Sequence, residues 1–270
     1  MRQGLIALFL LFIQTLAWAG NVTQPTSNQG VAAIRVRMTV GGGAACDENS
    51  GELNQLSLFY PFNEGTGTST ADVSSGTHAG TLANTPTWIT DGSCGNALRF
   101  ATASSEYVTA ANGPIIDTAT DVWSIFVRWR SNDQDNCGLV SQADTAGTTP
   151  NMTIYYLGAG DGLNFAIRDG SSNDGSINTG DINTSNNQWH SAMWVSSSTA
   201  YRRAIVDGVQ IAANTTSVDF GAGQLDNFTV GAVINTGVED QCDADIDQVR
   251  VYAGRAFTNE EALALHNSLK

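Results

Sequence analysis

Lysine is almost missing from this chain: Lys270 stands alone beside 11 Arg, and these 12 basic residues face 26 Asp and Glu for a formal charge of -14. A surface this acidic repels a phosphate backbone, and its arginines do not gather into a run, so nucleic acid is excluded as a partner. Long apolar runs are missing too. Beyond the first segment nothing approaches the ~18 to 20 unbroken apolar residues of a membrane span, so none is expected in the mature chain. The four cysteines form no CxxC pair and have no histidine at zinc-finger spacing, which argues against a structural zinc site. Histidine is limited to His78, His190 and His266, and no GxSxG elbow is present to mark a serine hydrolase. Charged residues make up only 14%, yet hydrophobic residues reach 41%. That is enough apolar material for a sizeable core and too much for a disordered polyanion.

The amino-terminal segment has the order of an export signal. Met1 and Arg2 precede an apolar run from Leu5 to Ile13, followed by Gln14, Thr15 and the small-residue frame of Ala17, Trp18 and Ala19. Residues 1–19 are therefore expected to be removed, leaving Gly20 as the first mature residue. The product is expected outside the cell, or in the periplasm or at the surface of a bacterium. In such an oxidising compartment Cys46, Cys94, Cys137 and Cys242 default to two disulfides. Three connectivities are open. Cys46 with Cys94 and Cys137 with Cys242 is the favoured pairing, each bridge contributing roughly 3 to 5 kcal/mol in the chain-entropy picture.

Residues 20–52 form an Asn-, Gln-, Thr- and Gly-rich extension, interrupted by one strand-like run, Val31 to Val40, that ends at the flexible Gly41, Gly42 and Gly43. From residue 53 onward short strand-like runs recur between turn residues. They are Leu56 to Phe62, Ala97 to Phe100, Tyr107 to Ala110, Val122 to Arg130, Gly138 to Gln142, Met152 to Leu157, Leu163 to Arg168, Trp189 to Val195, Tyr201 to Val206, Phe228 to Val233 and Ile246 to Tyr252. Many short strands with few helices predict an all-β, two-sheet antiparallel sandwich over 53–270. Alternation assigns faces: Trp123, Ile125, Val127 and Trp129 to the core, Phe126, Arg128 and Arg130 to the opposite side. The same rule places Trp189, Ser191, Met193 and Val195 inside and His190 and Trp194 outside. One short helix closes the chain, with Thr258 and Glu261 as a capping box, Phe257 stapling onto Ala262, and Leu265 and Leu269 as an apolar stripe.

Several blocks resemble one family in sequence order. Leu58 to Thr68, Ala71 to Gly76, His78 to Leu82, Trp88 and Gly95 to Phe100 resemble the opening of laminin-G-like, concanavalin-A-like jelly-roll domains of secreted proteins. Trp123 to Trp129, Gln188 to His190, Ile205 to Val209 and Ile246 to Tyr252 fit later blocks of that family. The resemblance implies a jelly roll with a structural Ca²⁺ near the chain ends and use as a glycan-binding or adhesion module. It nominates Glu64, Asp72 and Asp247 as metal ligands, although Asn63 stands where the family's opening commonly has Asp. The competing reading is that these carboxylates accept turn amides.

For sugar binding, a pyranose needs an aromatic platform and polar groups that match its hydroxyls. Phe126, Arg128, Arg130 and Trp194, on strand faces opposite the expected core, are the residues with that chemistry. Asp243, Asp245 and Asp247 alternate as the acids of retaining glycosidases do, but lie before the final strand rather than along a groove. The Asp169 to Asp174 loop lacks the Gly and Glu positions of a calcium hand and reads as a hairpin turn. The expectation is a secreted, non-enzymatic domain that binds carbohydrate or a cell-surface protein, with calcium ordering its loops. The alternatives are an assembly module using the Val31 to Val40 strand by edge addition and, behind it, a glycoside hydrolase.

Overall fold

The computed structural model describes residues 55–93, 95–116, 122–133, 135–169, 175–218, 221 and 223–270. The signal segment, the extension with its Val31 to Val40 run, Cys46 and Cys94 lie outside the described residues, as does most of the loop after Asp169. Short strands follow one another as the alternation predicts: β1 (Leu58–Tyr60), β2 (Ser69–Thr70), β3 (Gly80–Ala83), β4 (Thr87–Gly92), β5 (Gly95–Phe100), β6 (Tyr107–Ala110), β7 (Trp123–Arg130), β8 (Asn136–Ala143) and β9 (Asn151–Leu157). After them come β10 (Gly162–Arg168), β11 (Ile177–Asn178), β12 (His190–Ser198), β13 (Tyr201–Val206), β14 (Val209–Asn214), β15 (Asn227–Val230), β16 (Val233–Ile234), β17 (Val238–Glu239), β18 (Ala244–Ala253) and the helix α1 (Asn259–Ser268). Among the described residues no helix is long and apolar enough to cross a membrane.

One sheet runs β14-β13-β12-β7-β18-β5-β4, with β1 also paired to β18; the other runs β11-β10-β9-β8-β15-β6-β3-β2, and β16 with β17 forms a small hairpin. All pairings are antiparallel, as an all-β sandwich requires. Trp123, Ile125, Val127 and Trp129 do point between the sheets, where they meet Ile154, Tyr156, Phe165 and Phe228 of the second sheet. Each such large side chain removed from water contributes roughly 1.5 to 3 kcal/mol. Cys137 on β8 and Cys242, just ahead of β18, form the expected disulfide, a bond across 105 residues of sequence that links the two sheets.

The faces of β12 are the reverse of the sequence expectation. Ala192 and Trp194 enter the inter-sheet core, while Met193 and Val195 point outward and are buried in a second apolar cluster. The reason is α1: its Ala262, Leu265 and Leu269 pack onto Phe59, Phe126, Met193, Val195, Ile205 and Tyr252, so the outer face is apolar too. With both faces buried, hydrophobicity alone could not say which side was inside. The helix itself forms as expected, Thr258 and Glu261 exchanging both capping-box hydrogen bonds.

Two local breaks redirect strands. On β18 the pairing with β7 slips between Asp247 and Val249, and Gln248 has φ 46°. This bulge lets Ile246, Val249 and Val251 all face the core, which strict alternation forbids. The run expected from Phe228 to Val233 is divided at Gly231, whose φ is 84° and whose missing Cβ would come within 2.7 Å of the Phe100 ring. The edge strands β4 and β14 carry mixed, part-exposed residues and have no periodic signature in the sequence.

Candidate functional site

The outer face of the first sheet has two halves. Phe126 lies under α1, and the next two outward residues of β7, Arg128 and Arg130, emerge beyond the helix. Strand pairing sets Asp247 opposite Arg128 and Asp245 opposite Arg130, and β5 sets Arg99 opposite Asp245. Cross-strand opposite charges at this spacing attract, and here they interlock. Arg99 donates from Nε and Nη2 to Asp245 at 2.7 and 3.0 Å, and Arg130 donates from Nε to Asp245 Oδ2 at 2.7 Å. Arg130 Nη1 also pairs with Asp91, which stands largely in solvent.

Asp247 is buried completely. Its Oδ2 accepts from Arg128 Nη1 at 3.0 Å and from the amide and hydroxyl of Ser93 at 2.8 and 2.6 Å. Burial pushes the Asp247 carboxyl above its ordinary range even though Ser93 and Arg128 pull it down, and burial likewise lowers Arg128 against the pull of Asp247. The two shifts express the same cost: each ion has given up water for the other.

Trp189 completes the cluster. The pairing of His190 with Trp129 brings the preceding residue beside Arg130. The guanidiniums of Arg128 and Arg130 lie 4.1 and 4.8 Å from its ring centre. Cation–π contact of this kind contributes about 0.5 to 2 kcal/mol and holds the indole in place. Next to Arg130 a cleft of about 280 Å³ opens, walled by Arg99, Arg130, Asp245, Asn132 and Asn187. The exposed Asn132 and Asn187 belong to two loops tied together by the Asn187 amide donating to the Ser131 carbonyl at 3.0 Å. Asp243, also on the cleft wall, accepts from the Thr102 amide at 2.8 Å.

Of the four residues nominated for sugar contact, Arg128 and Arg130 are in this cluster and the two aromatics are not available. Phe126 is beneath α1. Trp194 is fully buried between the sheets, its ring 5.0 Å from Trp123 and 5.9 Å from Phe165. The outward aromatic is Trp189, which sequence alternation had assigned to the core. The matched spacing of Arg128 with Arg130 and of Asp245 with Asp247 was the available signal for a cross-strand charge cluster.

Glu64, Asp72 and Asp247 do not converge: among the described residues no group of three or more His, Cys, Asp or Glu side chains is arranged to hold a metal. Glu64 accepts from Thr70 Oγ1 and the Ala71 amide, and Asp72 from the amides of Phe59, Ser74 and His78, as turn-capping carboxylates do. Asp247 already has a guanidinium as its counter-charge. This donor set does not fit a Ca²⁺, which needs six to eight converging oxygens.

A second titratable cluster anchors α1. Ser191 Oγ lies 2.8 Å and Asp207 Oδ1 3.9 Å from the same nitrogen, Nδ1, of His266, an arrangement unlike a relay in which acid and nucleophile bind opposite ring nitrogens. His190 Nδ1 is 2.8 Å from Asp207 Oδ2. Burial lowers the His266 pKa. For Asp207 burial acts upward but is outweighed by His190 and the Ser191 amide, so its pKa falls.

Comparison with known proteins places this geometry in context. A family model described as the concanavalin A-like lectin/glucanases superfamily matches residues 102–262. No curated protein sequence matches the chain. Among solved structures, the binding domain of Paraclostridial Mosquitocidal Protein 1 superposes with a TM-score of 0.63 at 16% identity, over 79% of this chain and 52% of that one. The binding domain of Botulinum Neurotoxin DC, in complex with SialylT, superposes with a TM-score of 0.62 at 12% identity, over 81% of this chain and 52% of that one. Domain 4 of AbnA, a GH43 extracellular arabinanase from Geobacillus stearothermophilus in complex with arabinotriose, gives 0.60 at 18% identity, over 78% of this chain and 98% of that domain. The chain thus corresponds to about half the length of the toxin binding domains and to nearly all of the arabinanase domain.

Proposed function

We propose that this chain, which belongs to the concanavalin A-like lectin/glucanase superfamily, is an exported, non-enzymatic module that binds glycans at the charged end of the outer face of its first sheet. The observation that carries the reading is the juxtaposition of a part-exposed Trp189, held by two guanidiniums, with a cleft walled by arginine, carboxylate and amide groups. A sugar ring offers a C–H face to an aromatic plane and hydroxyls that donate and accept at once; the cleft walls carry the polar groups, and Trp189 adjoins them through Arg130. Similar folds that carry arabinotriose or SialylT in their structures support a glycan over other small ligands.

Catalysis is disfavoured by the state of the carboxylates. A glycosidase needs one acid free to protonate the leaving group and a second free to attack or activate water. Asp245 is held between two guanidiniums, and Asp247 has no exposed surface. The test is a glycan array followed by titration calorimetry, with Trp189→Ala as the variant. Loss of the indole should weaken binding by about 1 to 2 kcal/mol, roughly 5- to 30-fold, while the far-UV spectrum is unchanged. Binding that survives intact in a folded Trp189→Ala protein would place the ligand elsewhere.

A further inference from the structure

We infer that the cleft selects uncharged, hydroxyl-rich saccharides over sialylated or uronic-acid ones, an inference that rests on reading the cleft as a glycan site. A sugar carboxylate is captured by a guanidinium free to give two parallel N–H bonds. Each arginine at this site already has a carboxylate partner. Arg99 gives two of its N–H groups to Asp245, Arg130 is divided between Asp245 and Asp91, and Arg128 is paired with Asp247.

Charge counting points the same way. Three guanidiniums face four carboxylates, because Asp243 joins Asp91, Asp245 and Asp247. An approaching anion therefore meets a site that is neutral to negative within the ~8 Å over which charge is felt at physiological salt. To take the Nε edge of Arg99 or Arg130 it would have to displace Asp245, a nearly buried acid that accepts three charge-assisted bonds, and at the outer edge of Arg99 it would meet a guanidinium already paired with that acid. A neutral sugar displaces nothing. Its hydroxyls can bond to the exposed amides of Asn132 and Asn187 and to the outer edge of the Arg99 guanidinium, whose side chain is 55% exposed.

The experiment compares arabinotriose and a neutral hexose trisaccharide with sialyllactose in 150 mM salt, using the wild-type chain, Asp91→Asn and Asp245→Asn. At least one neutral probe should bind about tenfold or more tighter than sialyllactose to the wild type. Asp245→Asn removes a negative charge and one of the two acceptor oxygens, freeing one or two of the three N–H groups now bound there, so the preference should shrink or reverse. Asp91→Asn, at a side chain 61% exposed and outside the core, should shift it the same way by less, and keeps the test valid if Asp245→Asn does not fold. Equal or tighter sialyllactose binding by the wild type, or a preference unmoved in the folded variants, overturns the inference and leaves the glycan reading standing. No binding of any probe overturns the glycan reading and the inference with it.

Discussion

Replacing Arg128 with Met removes the counter-charge of a completely buried carboxylate while keeping most of the side chain's apolar stem. Asp247 would retain only its two bonds from Ser93, both on Oδ2. Breaking a buried pair by removing one partner costs about 3 to 5 kcal/mol, and losing the cation contact to Trp189 adds about 0.5 to 1. In a domain of this size that corresponds to a fall in Tm of roughly 7 to 24 °C. The deficit should depend on pH with a definite sign. Asp247 in the variant is a carboxyl whose folded pKa is raised, so its penalty is complete above that pKa and disappears as pH falls toward the unfolded value near 4. The companion variant Arg128→Met with Asp247→Leu removes both charges and should recover most of the loss. Urea unfolding followed by circular dichroism at pH 7 and pH 5 reads all three. A single-variant cost below about 1 kcal/mol at pH 7, or a double variant no more stable than the single, would refute the account of Arg128 as the built-in cation of this strand end.

Trp194→Ala should lose about 3 to 5 kcal/mol because it empties the space beside Trp123 and Phe165, whereas Trp189→Ala should affect ligand affinity far more than stability; the pair of melts and titrations distinguishes core from platform. Replacing both Cys137 and Cys242 with Ser should cost about 2 to 5 kcal/mol, near the upper end because the bridge spans 105 residues. Melting curves in calcium and in chelator should coincide, since among the described residues no three His, Cys, Asp or Glu side chains are grouped to hold a metal. A shift approaching the ~2.7 kcal/mol expected at a hundred times the dissociation constant would contradict that. His266 is a base whose folded pKa is lowered, so the unfolded chain takes up more protons below about 6.5 and stability should fall as pH drops from 7 to 5. His266→Asn should flatten that slope.

The strands, the closing helix and its capping box were legible because each depends on neighbours in sequence: alternation for β7, the Thr258 to Glu261 spacing for α1. The inner face of β7 was read correctly because its outer face carries Arg128 and Arg130 as well as Phe126. For β12 both faces are apolar, one against the second sheet and one under α1, and the reading of Trp194 and Met193 inverted. The bulge at Gln248 was invisible for a similar reason, since a single residue with φ 46° leaves no mark on composition. Of the residues nominated for sugar contact, Arg128 and Arg130 lie in the charged cluster, and the aromatic beside them is Trp189 rather than Trp194. The metal set fails on placement rather than on residue type: Glu64 and Asp72 are carboxylates with the right chemistry, each engaged by its own turn.

Local spacing and the alternation of apolar with polar residues determined, from the amino-acid order alone, that this chain builds stacked antiparallel layers capped by a terminal helix. Those rules act over two to four residues and need no knowledge of what lies across the fold. Which tryptophan faces water, which aspartate meets an arginine and whether three acids share a cation are questions about residues far apart along the chain, in the case of Arg99 and Asp245 more than a hundred positions. Strand order, register and the docking of α1 decided them, because a charge or ring acts on what is within a few ångströms in space, whatever its distance along the chain.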